Sequence, residues 1–277
     1  MSETLLIAVS AGAAILLAIG IFFYCRFWSR QGSKLSSESG YVTPYVSVLG
    51  RIALYLLSRL GAPYFFGCLH ISGLQNMAGG KNGKLRYLVC PNHQFEHDVA
   101  VISYLIGTRR WRFLADIEQV RGRRAPWMAW LGVIPVETDS LRARVASMSS
   151  VVTALEREPG TSFIIFPQGR LVKDNNLTRK DFNTGPVIIA GRAAKATGDD
   201  FALLPMYIEY VTDPTRASLG QRLLAFCGIK REFCGRTVYG CRVQIAKPIP
   251  VKADEERSKD EIVDELFQAM TSMQNGT

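Results

Sequence analysis

The chain has little of what marks a metal, redox or disulfide-built protein. Its six cysteines form no CxxC pair, and Cys227, Cys234 and Cys241 stand at intervals of seven, which fits neither a zinc set nor a disulfide framework. Histidine is scarcer: three in 277 residues, so chemistry that needs an imidazole has few places to reside. There is no internal repeat and no long low-complexity tract. That length leaves room for one ordinary globular domain plus an anchor. No nucleic-acid signature accompanies the basic residues, so nucleic acid is not an expected partner.

Charge itself is missing from residues 5–24. A helix of that length covers about 30 Å, the hydrocarbon thickness of a bilayer. The preceding charge is Glu3, whereas Arg26, Arg30 and Lys34 follow; a cleaved signal peptide carries positive charge before its apolar run. The expectation is a retained transmembrane anchor over residues 1–30, with a buried core helix as the other reading. Basic residues on its carboxyl side place the body on the cytoplasmic face of the membrane, where its thiols stay reduced. Residues 31–40 are rich in Ser and Gly and read as a linker, leaving residues 41–277 as the functional domain.

What the chain does have is positive charge, +9 in all. An anionic membrane surface or phosphate-bearing substrates attract such a protein. Part of the excess flanks the apolar run; part lies in Arg109, Arg110, Arg112, Arg121, Arg123 and Arg124, which suits a face held against acidic lipid or a merely solvated one.

Beyond the linker, Leu49, Ile52, Ala53, Leu56, Leu57 and Leu60 recur at helical spacing with Arg51, Ser58 and Arg59 between them. This predicts an amphipathic helix closing at Gly61 and Pro63 and lying on the core or in a membrane interface. Strand and helix patterns then alternate. Residues 85–90, 111–115, 132–136, 162–166 and 203–211 read as strands, and residues 98–106, 185–196 and 254–273 as helices, as does the stretch from Ser140 that Pro159 and Gly160 close, with Asp139 or Ser140 available as its cap. Such alternation predicts an α/β fold, a largely parallel or mixed sheet flanked by helices. In such sheets ligands gather where strands end and helices begin.

Two of those junctions carry unusual chemistry. The first reads PNHQFEHD over residues 91–98. Histidine is the common general base for a hydroxyl, and a carboxylate that orients the ring improves it. His93 and Asp98 are the candidate pair. Five residues turn a regular helix by about 500°, so the pair needs a turn between them rather than a continuous helix. His93, Glu96 and His97 also spell HxxEH, the spacing of a zinc hydrolase, which stays open as an alternative. The second junction, IIFPQGR over residues 164–170, sets Pro167 and Gly169 directly after an apolar strand, a geometry that presents backbone N–H groups to an anion, with Arg170 and Lys173 adding charge.

Asn92, His93 and Asp98 match the NHxxxxD signature of the glycerolipid acyltransferases, and the chain resembles that family, which includes the 1-acyl-glycerol-3-phosphate acyltransferases. Phe166, Pro167 and Gly169 resemble the family's FPEG segment, with Gln168 in place of Glu and Arg170 directly after the glycine. Phe182 and Gly185 are similar to its FKxG step, and Leu204, Pro205 and Met206 to its later apolar-Pro-apolar strand end. The segment GVIPVETD over residues 132–139 resembles one that ends in an acceptor-binding Arg, but Thr138 or Asp139 stands in that place, with Arg142 and Arg144 nearby. The resemblance implies transfer of a fatty acyl group from acyl-CoA or acyl-carrier protein to a lysophospholipid hydroxyl. It implies catalysis by His93 and Asp98 and substrate binding by Asn92, Phe166, Pro167, Gln168, Gly169, Arg170, Lys173 and Gly185, with no metal or bound cofactor. A lipid-binding protein that keeps the groove without the chemistry is the reading from another class.

Overall fold

The computed structural model describes residues 3–65, 68–77, 85–95, 98–107, 110–137, 140–212 and 238–276. The first half runs α1 (Glu3–Ser37), α2 (Val48–Phe65), β1 (Cys68–Ser72), β2 (Leu85–Pro91), α3 (Asp98–Ile106), β3 (Trp111–Asp116), α4 (Ile117–Val120), α5 (Ala125–Trp130) and β4 (Ile134–Val136). The second half runs α6 (Leu141–Arg157), β5 (Ser162–Ile164), α7 (Gly185–Thr197), β6 (Asp200–Thr212), β7 (Val238–Ile245), β8 (Ile249–Val251) and α8 (Lys259–Asn275). The strands form one sheet in the order β1-β7-β6-β2-β5-β3-β4, with β8 also on β6. From β6 to β4 all neighbours are parallel, whereas β7 and β8 run antiparallel to β6. The sheet is thus mixed, with a parallel centre.

Alternation along the strands divides the core in two. Tyr87 and Val89 of β2, with Ala202, Leu204 and Met206 of β6, join a cluster with α1, α3, α4 and α5. Their neighbours Leu88, Cys90, Phe201 and Leu203 join α6, α7 and α8 on the other face. Successive side chains on a strand point to opposite faces, so continuous apolar strands demand helices on both. The helix ends follow capping chemistry: Ser140 accepts from Ala143 N at 3.1 Å before α6, and Ser258 and Glu261 form a reciprocal capping box before α8.

The amino-terminal part differs from its sequence reading. Residues 31–37 continue α1 without a break, so they form no linker. Gly32 here serves packing: a Cβ on it would stand 2.5 Å from Pro126 N, which means α1 lies directly on the start of α5. Trp28 and Leu35 are buried in that contact. Among the described residues no helix is long and apolar enough to cross a membrane. The fold therefore gives the expected transmembrane helix no support; the side chains of residues 5–15 lie outside the described ones. What α1 does show is an apolar surface open to solvent, including Leu16, Leu17, Ile21, Phe22 and Phe23.

Arg112 also departs from expectation. Rather than joining a basic face it is wholly buried, donating to Thr43 Oγ1 and O at 2.8 Å each and to both carboxylate oxygens of Glu158. It ties the segment after α1 to β3 and the end of α6. Arg109 lies outside the described residues.

The close approach at Gly32 generates a test. Gly32→Ala should lower stability by about 1–3 kcal/mol through overpacking against α5, and limited proteolysis should cut the chain faster between α1 and α2. Gly20→Ala, where nothing stands within 4 Å, should not lower stability, since alanine is the better helix former, and should not speed the cut; equal behaviour of the two variants in thermal melts would contradict the packing.

Candidate active site

The carboxyl ends of the parallel strands meet at one edge, and a cavity of about 770 Å³ opens there. Phe113 to Asp116 line it from β3, Val136 and Glu137 from the end of β4, and Ile165 to Pro167 from the chain leaving β5. This is where an open α/β sheet collects its ligands.

His93 reaches the cavity because of how β2 ends. Asn92 is fully buried; its backbone N–H donates to Met206 O at 3.2 Å, and its side chain accepts from Ile208 N at 2.6 Å and donates to Ile208 O at 2.8 Å. It also donates to Asn175 Oδ1 at 2.6 Å. The side chain thus continues the ladder onto β6 where the strand itself has stopped. Asn92 does not line the cavity, so its expected substrate contact is replaced by a structural one.

The turn required between His93 and Asp98 is present. Asp98 opens α3 with a fully buried side chain, and its Oδ2 accepts from Gln94 N at 2.9 Å and Phe95 N at 3.0 Å. The same oxygen lies 3.0 Å from His93 Nδ1. Tyr210 donates its hydroxyl to Oδ1 at 2.5 Å. Asp98 thus meets donors on both of its carboxylate oxygens at the start of a helix. It then requires a proton on Nδ1, which leaves the Nε2 lone pair to act as a base. The imidazole is 16% exposed and stacks on Phe166 with centroids 3.9 Å apart. Glu96 and His97, which the zinc reading needs, lie outside the described residues.

The second junction packs against the first. His93 N donates to Gln168 Oε1 at 2.8 Å, and Val172 N donates to His93 O at 2.7 Å. Gln168 is 3% exposed, does not line the cavity, and leaves its Nε2 without a partner among the described residues. Its expected role with substrate becomes one of holding the His93 backbone, for which an uncharged amide oxygen suffices. Gly169 turns the chain at φ 64°, a conformation that favours glycine. Its N–H donates to Phe166 O at 3.1 Å, and the N–H groups of Gln94 and Phe95 are engaged by Asp98. None of these three is free for an external anion. Asn183, which no motif singled out, clamps the turn by donating to Pro167 O at 3.1 Å and Gln168 O at 3.3 Å.

Phe166, Pro167, Gly169, Arg170 and Gly185 line the cavity together with His93, whereas Lys173 does not. Arg170 donates to Asp181 Oδ1 at 2.7 Å; that hydrogen bond raises the guanidinium's proton affinity, while the Thr178 hydroxyl first and Arg170 second hold the Asp181 carboxyl below its usual range. Of the two arginines near the missing acceptor-binding position, Arg144 lines the cavity and Arg142 does not; Arg124 joins it from the other side of β4 in sequence. Neither Arg124 nor Arg144 has a carboxylate partner among the described residues. Phe182 is buried against Phe267 instead.

A family model described as Acyltransferase matches residues 69–209, just over half of the chain. The chain belongs to the acyltransferase family. No curated protein matches it. The match spans every residue of this acyltransferase's cavity edge from His93 to Gly185, and it stops one residue short of Tyr210.

In this acyltransferase Gln168→Leu should remove the acceptor of the His93 N–H and leave that donor unpaired, costing about 1–3 kcal/mol of stability and slowing acyl transfer. Gln168→Glu keeps an oxygen in the same place and should retain more activity. Thermal melts and rate measurements on the two variants check this, and greater activity in the Leu variant would contradict the assigned role.

Proposed function

We propose that the acyltransferase moves a fatty acyl group from a thioester, acyl-CoA or acyl-carrier protein, to the hydroxyl of a lysophospholipid, with 1-acyl-glycerol-3-phosphate as the first candidate acceptor. The observation that carries this reading is His93, held through Nδ1 by a buried carboxylate beside a largely apolar cavity that Arg124, Arg144 and Arg170 also line. An apolar chain and an anionic headgroup both find complements there.

His93 Nε2 takes the proton from the acceptor hydroxyl as that oxygen attacks the thioester carbonyl. The tetrahedral oxyanion collapses, the carbon–sulfur bond breaks, and the leaving thiolate recovers the proton from Nε2. Asp98 stabilises the imidazolium in between. Oxyanion donors commonly contribute on the order of 3 kcal/mol; the Gly185 N–H at the start of α7, which lines the cavity, is the candidate source, since Pro186 has no N–H to give and those of Gln94, Phe95 and Gly169 are engaged.

The exposed apolar residues of α1 and those of α2, among them Val48, Leu49, Leu56 and Leu60, support work at a membrane surface, where such an acceptor resides. The cytoplasmic side remains the proposed location.

Transfer of radiolabelled oleoyl-CoA to a panel of lyso-lipids tests the reading. His93→Ala should lower the rate by at least about a hundredfold without unfolding the chain, and Arg144→Ala should raise KM for phosphate-bearing acceptors about tenfold while sparing neutral ones. Labelling that survives in His93→Ala, or that appears with no acceptor at all, counts against it.

A further inference from the structure

Tyr210 lies 112 residues beyond Asp98 in sequence, past every motif that marks the site. The Tyr210 side chain is buried, its ring edge-on to Phe95 at 5.9 Å, and its hydroxyl is aimed at the one Asp98 oxygen that does not face His93. Oδ2 is shared by two backbone N–H groups and the imidazole. Oδ1 takes the phenol.

This division of labour has a chemical consequence. A carboxylate's two oxygens share one charge, so a donor on Oδ1 draws electron density from Oδ2 and weakens its pull on the Nδ1 proton. The same bond fixes the carboxylate plane, which backbone donors on Oδ2 alone leave free to rotate. We propose that Tyr210 is a positioning residue of the acyl-transfer reaction, setting both the orientation of Asp98 and the basicity it confers on His93. The inference rests on the functional reading above.

Among the described residues, the ionisable groups of β6 and β7 beside Tyr210 do not duplicate the effect. Cys241 of β7 stands opposite Tyr210 in the ladder; burial first, then the charges of Asp98 and Glu209, push its thiol up, so it stays neutral. Glu209 is turned to Arg242, 3.6 Å away on β7.

Tyr210→Phe keeps the ring and deletes the donor. The expected result is a fall in kcat of about ten- to a hundredfold, the worth of one hydrogen bond to a charged group, with KM for both substrates within about twofold of the parent. The acid limb of the pH–rate profile should move to higher pH, and the low-field Nδ1–H proton resonance of His93 should shift further downfield. Site-specific 3-fluorotyrosine at position 210, a stronger donor of nearly the same size, should shift that resonance upfield, and it decides the matter if the Phe variant does not fold. A resonance and pH profile unmoved by either change would overturn the proposal and leave Tyr210 a packing residue. The resonance needs no substrate, so a chain that proves inactive toward every lyso-lipid refutes the functional reading without touching this link.

Discussion

Burying a carboxyl group is costly unless its lone pairs are met by donors, and Asp98, fully buried, is the group on which that constraint falls. Two of its donors are the backbone N–H groups of Gln94 and Phe95, so the loop after β2 must curl around it. Another is His93, whose ring is thereby turned toward the cavity. Tyr210 comes from β6, so the parallel pairing of β2 with β6 is also a condition for Asp98 to be where it is. Orientation of the imidazole, the shape of the loop and the register of the central strands are one problem with one solution.

Asn92 and Gln168 are the struts of that solution. Each carries an amide where a charged residue would leave a second buried ion. Asn92 satisfies β6 past the last residue of β2, and Gln168 caps the His93 N–H from the neighbouring strand end. The Phe166 to Gly169 turn, clamped by Asn183, then delivers the ring that stacks on His93. The cavity's reactive wall is therefore built from two loops that hold each other, while arginines from α6 and from the segment before α5 supply its charge.

How much of this is legible in the sequence depends on the range of the interactions. The His93–Asp98 pair is local and its chemistry is narrow, so spacing alone exposes it; helices α3, α6 and α7 follow from apolar period and caps to within a residue or two. Tyr210 is invisible because its role arises only when β6 is laid beside β2. Asn92 reads as a ligand contact because a polar residue after a strand looks the same whether it faces substrate or a neighbouring strand. Arg112 sits among arginines that resemble a solvated face, yet its place on β3 sends it into the interior, where Thr43 and Glu158 receive it. Residues 31–37 have a linker's composition, but Gly32 permits close helix packing, and tertiary contact overrides composition.

The contact between Gly32 and Pro126 bears on how the enzyme meets its surroundings. A flexible tether lets a domain tumble beneath whatever holds it, and the cavity then samples all orientations. A helix seated backbone to backbone on α5 behaves as a rigid strut. Any surface that grips residues Leu16 to Phe23 consequently sets the angle at which the cavity mouth is presented, so that seating of the amino-terminal helix and delivery of a surface-bound substrate become a single geometric event.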